Sequence, residues 1–148
     1  MRRYYIVRRW CRENVSSKEG RANFVTKYDV AVQAYLEEEL LKILPEAVFI
    51  GEEGDHSKAI GEDYAFIVDP IDGTTNFIKN YHRSCVSVGL ALHGTMEIGV
   101  VYNPYSNEMF YAQRGRGAFL NGQPLHVSSN RLEEGLYVSE HHLICGIN

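Results

Sequence analysis

The most regular hydrophobic pattern in the chain lies between residues 28 and 44. Apolar side chains recur there at the spacing that puts them on one face of a helix: Tyr28, Val32, Leu36, Leu40 and Ile43 or Leu44. Pro45 follows, and proline cannot continue a helix because its ring fixes φ and it lacks an N–H donor. The pattern therefore predicts a helix from Tyr28 to Leu44.

Two short apolar runs follow this helix. Ala47–Ile50 and Tyr64–Val68 are bounded by glycine, aspartate and proline, and each is too short for a typical helix. Runs of this length with such boundaries are typical of buried strands. Acidic residues come just after both runs, so the two predicted strands each end in carboxylates.

Apolar and polar or small residues alternate beyond residue 85. The alternation predicts strands over Val86–Leu92 and Met96–Val100. Three tight connections follow one another, at His93–Thr95, Tyr105–Asn107 and Asn121–Gly122, as in an antiparallel meander. The predicted fold is α+β, with layered helices packed on an antiparallel sheet and the acidic strand ends meeting at one edge.

The chain start carries a weaker pattern. Arg2–Arg12 is rich in arginine, which faintly resembles a targeting presequence or a membrane-surface helix, but its alternation with apolar residues favours a short packed helix. Val15–Lys27 contains Gly20 within polar residues and is predicted to be a loop or loose hairpin.

Composition narrows the classes of partner. The 148 residues, 45% of them apolar, are enough for one domain with one core. Because 19 acidic residues stand against 15 basic ones, a net charge of −4 disfavours nucleic acid as a partner. No apolar run approaches the ~20 residues that cross a bilayer, so no membrane is expected.

Cysteine usage indicates a cytoplasmic location. Cys11, Cys85 and Cys145 are an odd number at no metal-ligand spacing, and no signal-peptide pattern begins the chain. Cys85 is predicted to be a small core residue. The His141–His142 pair is interpreted as part of a solvated tail, since adjacent histidines point in different directions on a regular element.

The segment Asp69–Phe77 combines residues suited to metal and phosphate. Two carboxylates separated by two residues leave a predicted buried strand, with Pro70 fixing the backbone between them. Mg²⁺ prefers carboxylate oxygens, so Asp69 and Asp72 are candidate ligands and the Ile71 carbonyl a plausible third. If a helix begins at Gly73 or Thr74, its unpaired N–H groups point toward the same acidic cup.

Further candidates precede this segment. Glu52 follows the first predicted strand and is suited to bind one cation and its water, as a two-metal site requires extra acids. Thr74 is suited to hydrogen-bond that water, and Asp29 to orient the threonine or accept the proton.

Each of these acids also has a purely structural interpretation. Thr26 and Asp29 form a helix-capping pair, and Glu52 with Glu53 form a solvated acidic turn. Asp69 and Asp72 similarly suit a capped turn. Without a resemblance to known proteins, both interpretations stay open for the first two pairs.

Taken together, Gly51–Glu53 and Asp69–Phe77 resemble the motifs of the inositol monophosphatase family. The resemblance extends from about Lys18 to Ser128 and includes the Gly115–Gly122 hairpin. It implies the N-terminal part of the inositol monophosphatase-like sugar phosphatase fold, with two or three Mg²⁺ ions in a complete site and sensitivity to lithium.

The resemblance also implies a role for each matching residue. The implied first Mg²⁺ is held by Glu52, Asp69 and the Ile71 carbonyl, and the second by Asp69 and Asp72. The implied phosphate ligands are Asp72, Gly73 and Thr74, the water-activating pair is Thr74 with Asp29, and Lys18 matches a lysine of the family's mobile loop.

The implied activity is Mg²⁺-dependent hydrolysis of a small phosphate monoester, most simply inositol monophosphate or a related sugar-alcohol phosphate. The family continues to a later Trp–Asp motif that completes the second metal site, so residues 1–148 are expected to be a truncated domain with little activity alone. Alternatives are a non-catalytic remnant that binds metal, phosphate or a complementing chain, and a nucleotide phosphatase of the same superfamily.

A homodimer is a further expectation. Aromatic residues of the meander are interpreted as packing the sheet or a subunit interface: Tyr102, Tyr105, Phe110 and Tyr111. The segment Glu140–Asn148 resembles nothing in the family, and residues 129–148 receive no role.

Overall fold

The fold is described from a computed structural model, which covers residues 15–17, 24–53, 61 and 63–131. The predicted helix at Arg2–Arg12, the loop lysine Lys18 and the His141–His142 pair lie outside the described residues. Within the described ranges, no helix is both long and apolar enough to span a bilayer.

Helix α1 spans Lys27–Ile43, which confirms the helix predicted from the apolar spacing. It begins there because Thr26 caps its first turn: the Thr26 hydroxyl accepts a hydrogen bond from the Tyr28 N–H at 3.1 Å. The Leu44 N–H returns to the Leu40 carbonyl at 3.0 Å and closes the last turn before Pro45.

A sheet of seven strands forms the body of the described structure, in the order in which the strands occur in the chain. The strands are β3 (Val48–Gly51), β4 (Tyr64–Asp72), β5 (Cys85–Leu92), β6 (Thr95–Asn103), β7 (Glu108–Gln113), β8 (Gly117–Leu120) and β9 (Gln123–Leu125). A short helix, α2 (Thr74–Ile78), follows β4. Separately, β1 (Val15–Ser17) and β2 (Phe24–Thr26) pair antiparallel, so the loose hairpin predicted for this segment is confirmed.

The sheet is mixed rather than wholly antiparallel. The predicted antiparallel arrangement holds from β4 to β9, and the three tight connections fall where they were expected. Strand β3, however, runs parallel to β4, with Val48 opposite Ala65 and Gly51 opposite Val68. Because parallel strands point the same way, β3 and β4 end at the same edge of the sheet. This pairing brings the two acidic strand ends together.

The hydrophobic core lies between α1 and one face of β3, β4 and β5. Its buried members are Ala47, Phe49, Phe66 and Val68, and α1 packs Leu36, Leu40, Leu41 and Leu44 against them. Full burial of an apolar side chain of this size contributes about 1.5–3 kcal/mol. The core therefore fixes α1 over the strands that carry the acids.

Strand β4 is longer than the apolar run predicted, because it continues through Pro70 to Asp72. The pairing with β5 is regular as far as Asp69 opposite Ser87, then shifts before Asp72 opposite Cys85. Proline has no N–H to donate to a neighbouring strand, so an irregularity at this point is expected. The extension carries both aspartates of the motif on one strand.

Candidate active site

Glu52 and Asp69 lie against each other at the shared edge of β3 and β4. The Glu52 N–H donates to the Val68 carbonyl at 2.9 Å, which continues the parallel pairing by one residue. Burial raises the pKa of Asp69 to about 7, and the charge of Glu52, a hydrogen bond with Glu52 and the charge of Asp72 act in the same direction. The Ile71 N–H donates to Asp69 Oδ1 at 3.1 Å and acts in the opposite direction.

Asp72 extends this acidic group but faces a different neighbour. It is exposed, and its Oδ2 lies 3.7 Å from the Cys85 Sγ, which donates a weak hydrogen bond. Cys85 was predicted to be a core residue; it is half-buried and faces the motif, because the register shift places it opposite Asp72. Two of the three predicted acidic ligands are therefore in contact, and the third is beside them.

The donor chemistry of this group fits a hard divalent cation. Carboxylates crowded together repel one another, and the raised pKa of Asp69 records that repulsion together with its burial. A cation bound by oxygen ligands would offset it. In the described part of the chain, no three acidic, histidine or cysteine side chains already surround one point. The carboxylate oxygens that could hold a cation at this edge are those of the Glu52–Asp69 pair, with Asp72 beside them.

The Ile71 carbonyl, predicted as a metal ligand, lies at the turn from β4 into α2. The Ile71 residue is buried, and its carbonyl accepts a hydrogen bond from Thr74 Oγ1 at 3.1 Å. The backbone oxygen thus lies between the aspartates and the threonine of the motif.

Asp29 and Thr74 are brought together from distant parts of the chain. Asp29 is 1% exposed, and its Oδ2 accepts hydrogen bonds from the Thr26 N–H at 2.7 Å and the Thr26 hydroxyl at 2.5 Å. Its other oxygen, Oδ1, lies 3.3 Å from Thr74 Oγ1 and shares the single hydroxyl proton of Thr74 with the Ile71 carbonyl. The capping interpretation and the contact expected of a catalytic pair therefore coexist, because each uses a different oxygen.

Gly73 occupies a position that other residues would strain. Its φ is +85°, and a Cβ there would meet the Arg83 carbonyl oxygen at 2.9 Å. The Asn76 side chain donates to the same carbonyl at 2.8 Å and closes the loop after α2. The Tyr28 and Phe77 rings meet edge to face at 5.7 Å and hold α2 against the start of α1.

Gln33 contacts the site region and was not among the sequence candidates. Its Nε2 donates to the Glu53 carbonyl at 2.5 Å, and its Oε1 accepts from the Glu53 N–H at 2.8 Å. The only signal in the sequence is its spacing: Gln33 lies four residues after Asp29 and hence on the same face of α1.

A cleft of about 330 Å³ borders the Glu52–Asp69 pair. Its walls are Ile50, Gly51, Glu52, Ile67, Val68, Asp69 and Ser87. The acids therefore stand beside open space.

Comparison with known proteins agrees with this fold. The sequence profile of the inositol monophosphatase family matches residues 4–144. The chain belongs to the inositol monophosphatase family. Inositol monophosphatase 2 of Saccharomyces cerevisiae is 42% identical over 133 residues, which are 86% of this chain and 45% of that protein. The chain thus spans about half the length of the curated relatives it matches.

Solved structures share the fold. The extragenic suppressor protein suhB from Bartonella henselae superposes with a TM-score of 0.74 at 38% identity, over 84% of this chain and 50% of that one. An IMPase/NADP phosphatase complexed with Mg²⁺ and phosphate matches with a TM-score of 0.70 at 27% identity, over 81% of this chain and 46% of that one. A staphylococcal inositol monophosphatase in a LiCl-soaked inhibitory complex matches with a TM-score of 0.71 at 28% identity, over 82% and 47%.

Proposed function

We propose that the protein hydrolyses a small phosphate monoester with Mg²⁺, most simply inositol monophosphate or a related sugar-alcohol phosphate. One observation carries the proposal: the buried Asp29 carboxylate accepts a hydrogen bond from Thr74, whose hydroxyl also contacts the carbonyl of Ile71, the residue whose N–H donates to Asp69. A hydroxyl oriented by a buried carboxylate, next to oxygen ligands for a cation, is the arrangement that activation of water requires. Membership of a family that acts on phosphorylated substrates supports the substrate class.

The residues proposed to hold Mg²⁺ are Glu52, Asp69, Asp72 and the Ile71 carbonyl. A bound Mg²⁺ supplies positive charge that stabilises phosphoryl oxygens and acidifies water. The related structures with Mg²⁺ and with LiCl support both the divalent ion and an inhibitory effect of lithium. Two or three ions are proposed for the complete site.

The remaining roles fall to the turn between β4 and α2 and to the start of α1. Thr74 Oγ1 takes a proton from the attacking water as the hydroxyl proton of Thr74 passes to the Asp29 carboxylate. The backbone at Gly73 and Thr74, together with Asp72, binds the phosphate. Thr26 donates to Asp29 Oδ2, the carboxylate oxygen that Thr74 does not use, and so holds Asp29 in place.

The whole protein is proposed to need more than these 148 residues for full activity. A carboxylate outside them would complete the second Mg²⁺ site, either from the same protein or from a complementing chain. Assembly as a homodimer and a cytoplasmic location are part of the same proposal.

The test is Mg²⁺-dependent release of phosphate from inositol monophosphate by the protein together with the segment or chain that completes its second Mg²⁺ site, with LiCl in a parallel series. Thr74→Val keeps the shape of the side chain and removes the hydroxyl, and we expect kcat to fall about 10²- to 10⁴-fold, the usual contribution of acid–base groups. Thr95→Val, at the start of β6, is the matched control and should leave kcat unchanged. Equal rates for the two variants would contradict the role of Thr74.

Two further assays distinguish an inositol phosphatase from a nucleotide phosphatase and from a non-catalytic remnant. NADP replaces inositol monophosphate in the first assay, because one structural relative is an IMPase/NADP phosphatase; faster release from NADP would favour a nucleotide phosphatase. Asp69→Asn is used in the second assay and should abolish both activities. A folded protein that binds Mg²⁺ but releases phosphate from neither substrate would be a binding remnant.

A further inference from the structure

The Gln33 side chain makes a two-point contact with the backbone of the acidic turn Gly51–Glu53. Its carboxamide donates to the Glu53 carbonyl at 2.5 Å and accepts from the Glu53 N–H at 2.8 Å. An amide is suited to this because one planar group offers both a donor and an acceptor, as a neighbouring strand would. The contact joins α1 to the turn across 20 residues of sequence.

Glu52 lies between this contact and the sheet. On one side, its own N–H donates to the Val68 carbonyl at 2.9 Å. On the other, the backbone of the next residue is held by Gln33 at both of its polar groups. The Glu52 residue itself is exposed, so packing does little to fix it. Hydrogen bonds to the backbone on either side, together with the hydrogen bond between the Glu52 and Asp69 side chains, therefore set its position.

Gly51 is fitted to the same contact. A Cβ built at Gly51 would overlap the Gln33 carboxamide, whereas no other side chain is as close. A larger residue at position 51 would displace the end of the Gln33 side chain, since that end is flexible. The glycine therefore leaves room for the amide that holds the turn.

From this geometry we infer that Gln33 is a positioning residue for Glu52 and sets the affinity of the acidic turn for Mg²⁺. The inference rests on the proposed function, because it takes Glu52 to be a metal ligand. Gln33 touches neither the metal ligands' oxygens nor substrate in this assignment; it acts through the backbone of Glu53. Groups that orient metal ligands typically change metal affinity 10- to 100-fold when they are removed.

The first variant is Gln33→Met, which keeps the length of the side chain and its helix propensity but removes both hydrogen bonds. Mg²⁺ binding is measured by calorimetric titration at about pH 8, where Asp69 is ionised, so that proton competition is small. We expect the dissociation constant to rise about 10- to 100-fold. Gln113→Met, the same chemical change on β7, is the matched control and should leave it unchanged.

A merely structural role gives a different result. In that case Gln33→Met would lower the melting temperature of the metal-free protein and leave the Mg²⁺ dissociation constant within about twofold of the original. That outcome would overturn the inference. If Gln33→Met does not fold, Gly51→Ala tests the same contact from the other side and is expected to weaken Mg²⁺ binding similarly.

Two comparisons complete the design. In the double variant Gly51→Ala with Gln33→Ala, the loss of affinity should equal that of Gln33→Ala alone, because one contact cannot be lost twice; additive losses would count against the inference. Glu52→Gln distinguishes the role of Gln33 from the proposed metal site. If Glu52→Gln weakens Mg²⁺ binding and Gln33→Met does not, only the role of Gln33 fails; if Glu52→Gln has no effect, the proposed metal site itself is wrong.

Discussion

The two ends of the seven-stranded sheet differ in what they bury. At one end, which we call the acidic end, α1, β3, β4 and α2 enclose polar groups: Asp29 is 1% and Thr26 3% exposed. At the other end, the distal strands β7, β8 and β9 leave apolar side chains exposed, with Phe110 at 38% and Met109 at 43%. The usual distribution of polar and apolar groups is thus partly reversed along one sheet.

The difference shows which forces hold each end. Buried polar groups cost free energy unless they are hydrogen-bonded, and in the described residues no buried side-chain nitrogen or oxygen lacks a partner. The acidic end is therefore held by specific contacts in addition to its apolar core. The distal strands rely on backbone pairing and partial contacts such as the stacked Tyr111 and Phe119 rings, 5.1 Å apart. Changes at the acidic end should accordingly have larger effects.

The largest effect on stability is expected from the paired truncations Phe66→Ala and Phe110→Ala. Phe66 is 5% exposed and lies in the core, so its loss should lower the free energy of unfolding by about 3–5 kcal/mol. Phe110 is far more exposed, and its loss should cost about 1 kcal/mol or less. Urea unfolding followed by circular dichroism measures both. Equal losses would mean that the distal strands are covered in solution.

A smaller effect is expected from alanine at two glycines with positive φ. Gly94, in the turn between β5 and β6, has φ +71° and open space around it, so Gly94→Ala should cost only the backbone strain of about 1–2 kcal/mol. Gly73→Ala has the same backbone strain and also overlaps the Arg83 carbonyl. It should therefore lower the free energy of unfolding by about 1 kcal/mol more than Gly94→Ala does. Unfolding in urea again gives the comparison. If Gly94→Ala proves the more costly, the closeness of Arg83 is not the deciding factor.

The last effect concerns pH. Because burial raises the pKa of Asp69 from 3.8 to about 7, Mg²⁺ must displace a proton below pH 7. Mg²⁺ affinity should therefore rise with pH, by at most about tenfold per unit below 7, and level off above it. A carboxyl whose pKa is raised by folding stabilises the metal-free fold at pH values below its pKa in the unfolded chain. That contribution is lost as the pH rises through its pKa in the folded protein. The metal-free protein should thus become less stable between pH 3.8 and about 7.

Titration calorimetry and thermal unfolding across this pH range measure the two trends. Asp69→Asn should remove the contribution of Asp69 to the pH dependence of stability, and Asp63→Asn, an exposed acid ahead of β4, should leave that contribution in place. A flat profile for the unsubstituted protein would place the pKa of Asp69 near its ordinary value.

Local sequence patterns predicted most elements of the fold. The helix at residues 27–43 and the strands of the meander follow from apolar spacing and turn residues, because those signals depend on near neighbours in the chain. The parallel direction of β3 could not be predicted in this way. Periodicity indicates that Val48–Gly51 is a strand, but it carries no information about the direction of the strand beside it.

The candidate site was likewise predicted from the sequence only in part. Residues Asp69–Thr74 were predicted as a group because they are adjacent in sequence and resemble a family motif. Gln33 was missed because its partner, Glu53, lies 20 residues away, and the contact exists only once α1 has packed on β3. The contact between Cys85 and Asp72 depends on a register shift that no sequence pattern predicts. Long-range geometry, rather than residue type, was the missing information.

The hydrogen bond from Thr74 to Asp29 has a consequence for the order of folding. It joins residues 45 positions apart, whereas neighbouring strands of the meander are joined by short turns. Contacts between distant residues require the closure of a long loop and so tend to form slowly. We therefore expect the hairpins of β5 to β9 to acquire protection early in pulse-labelled hydrogen exchange, and the start of α1 to acquire it last. A chain refolding from denaturant would then hold much of its sheet before Asp29 and Thr74 meet.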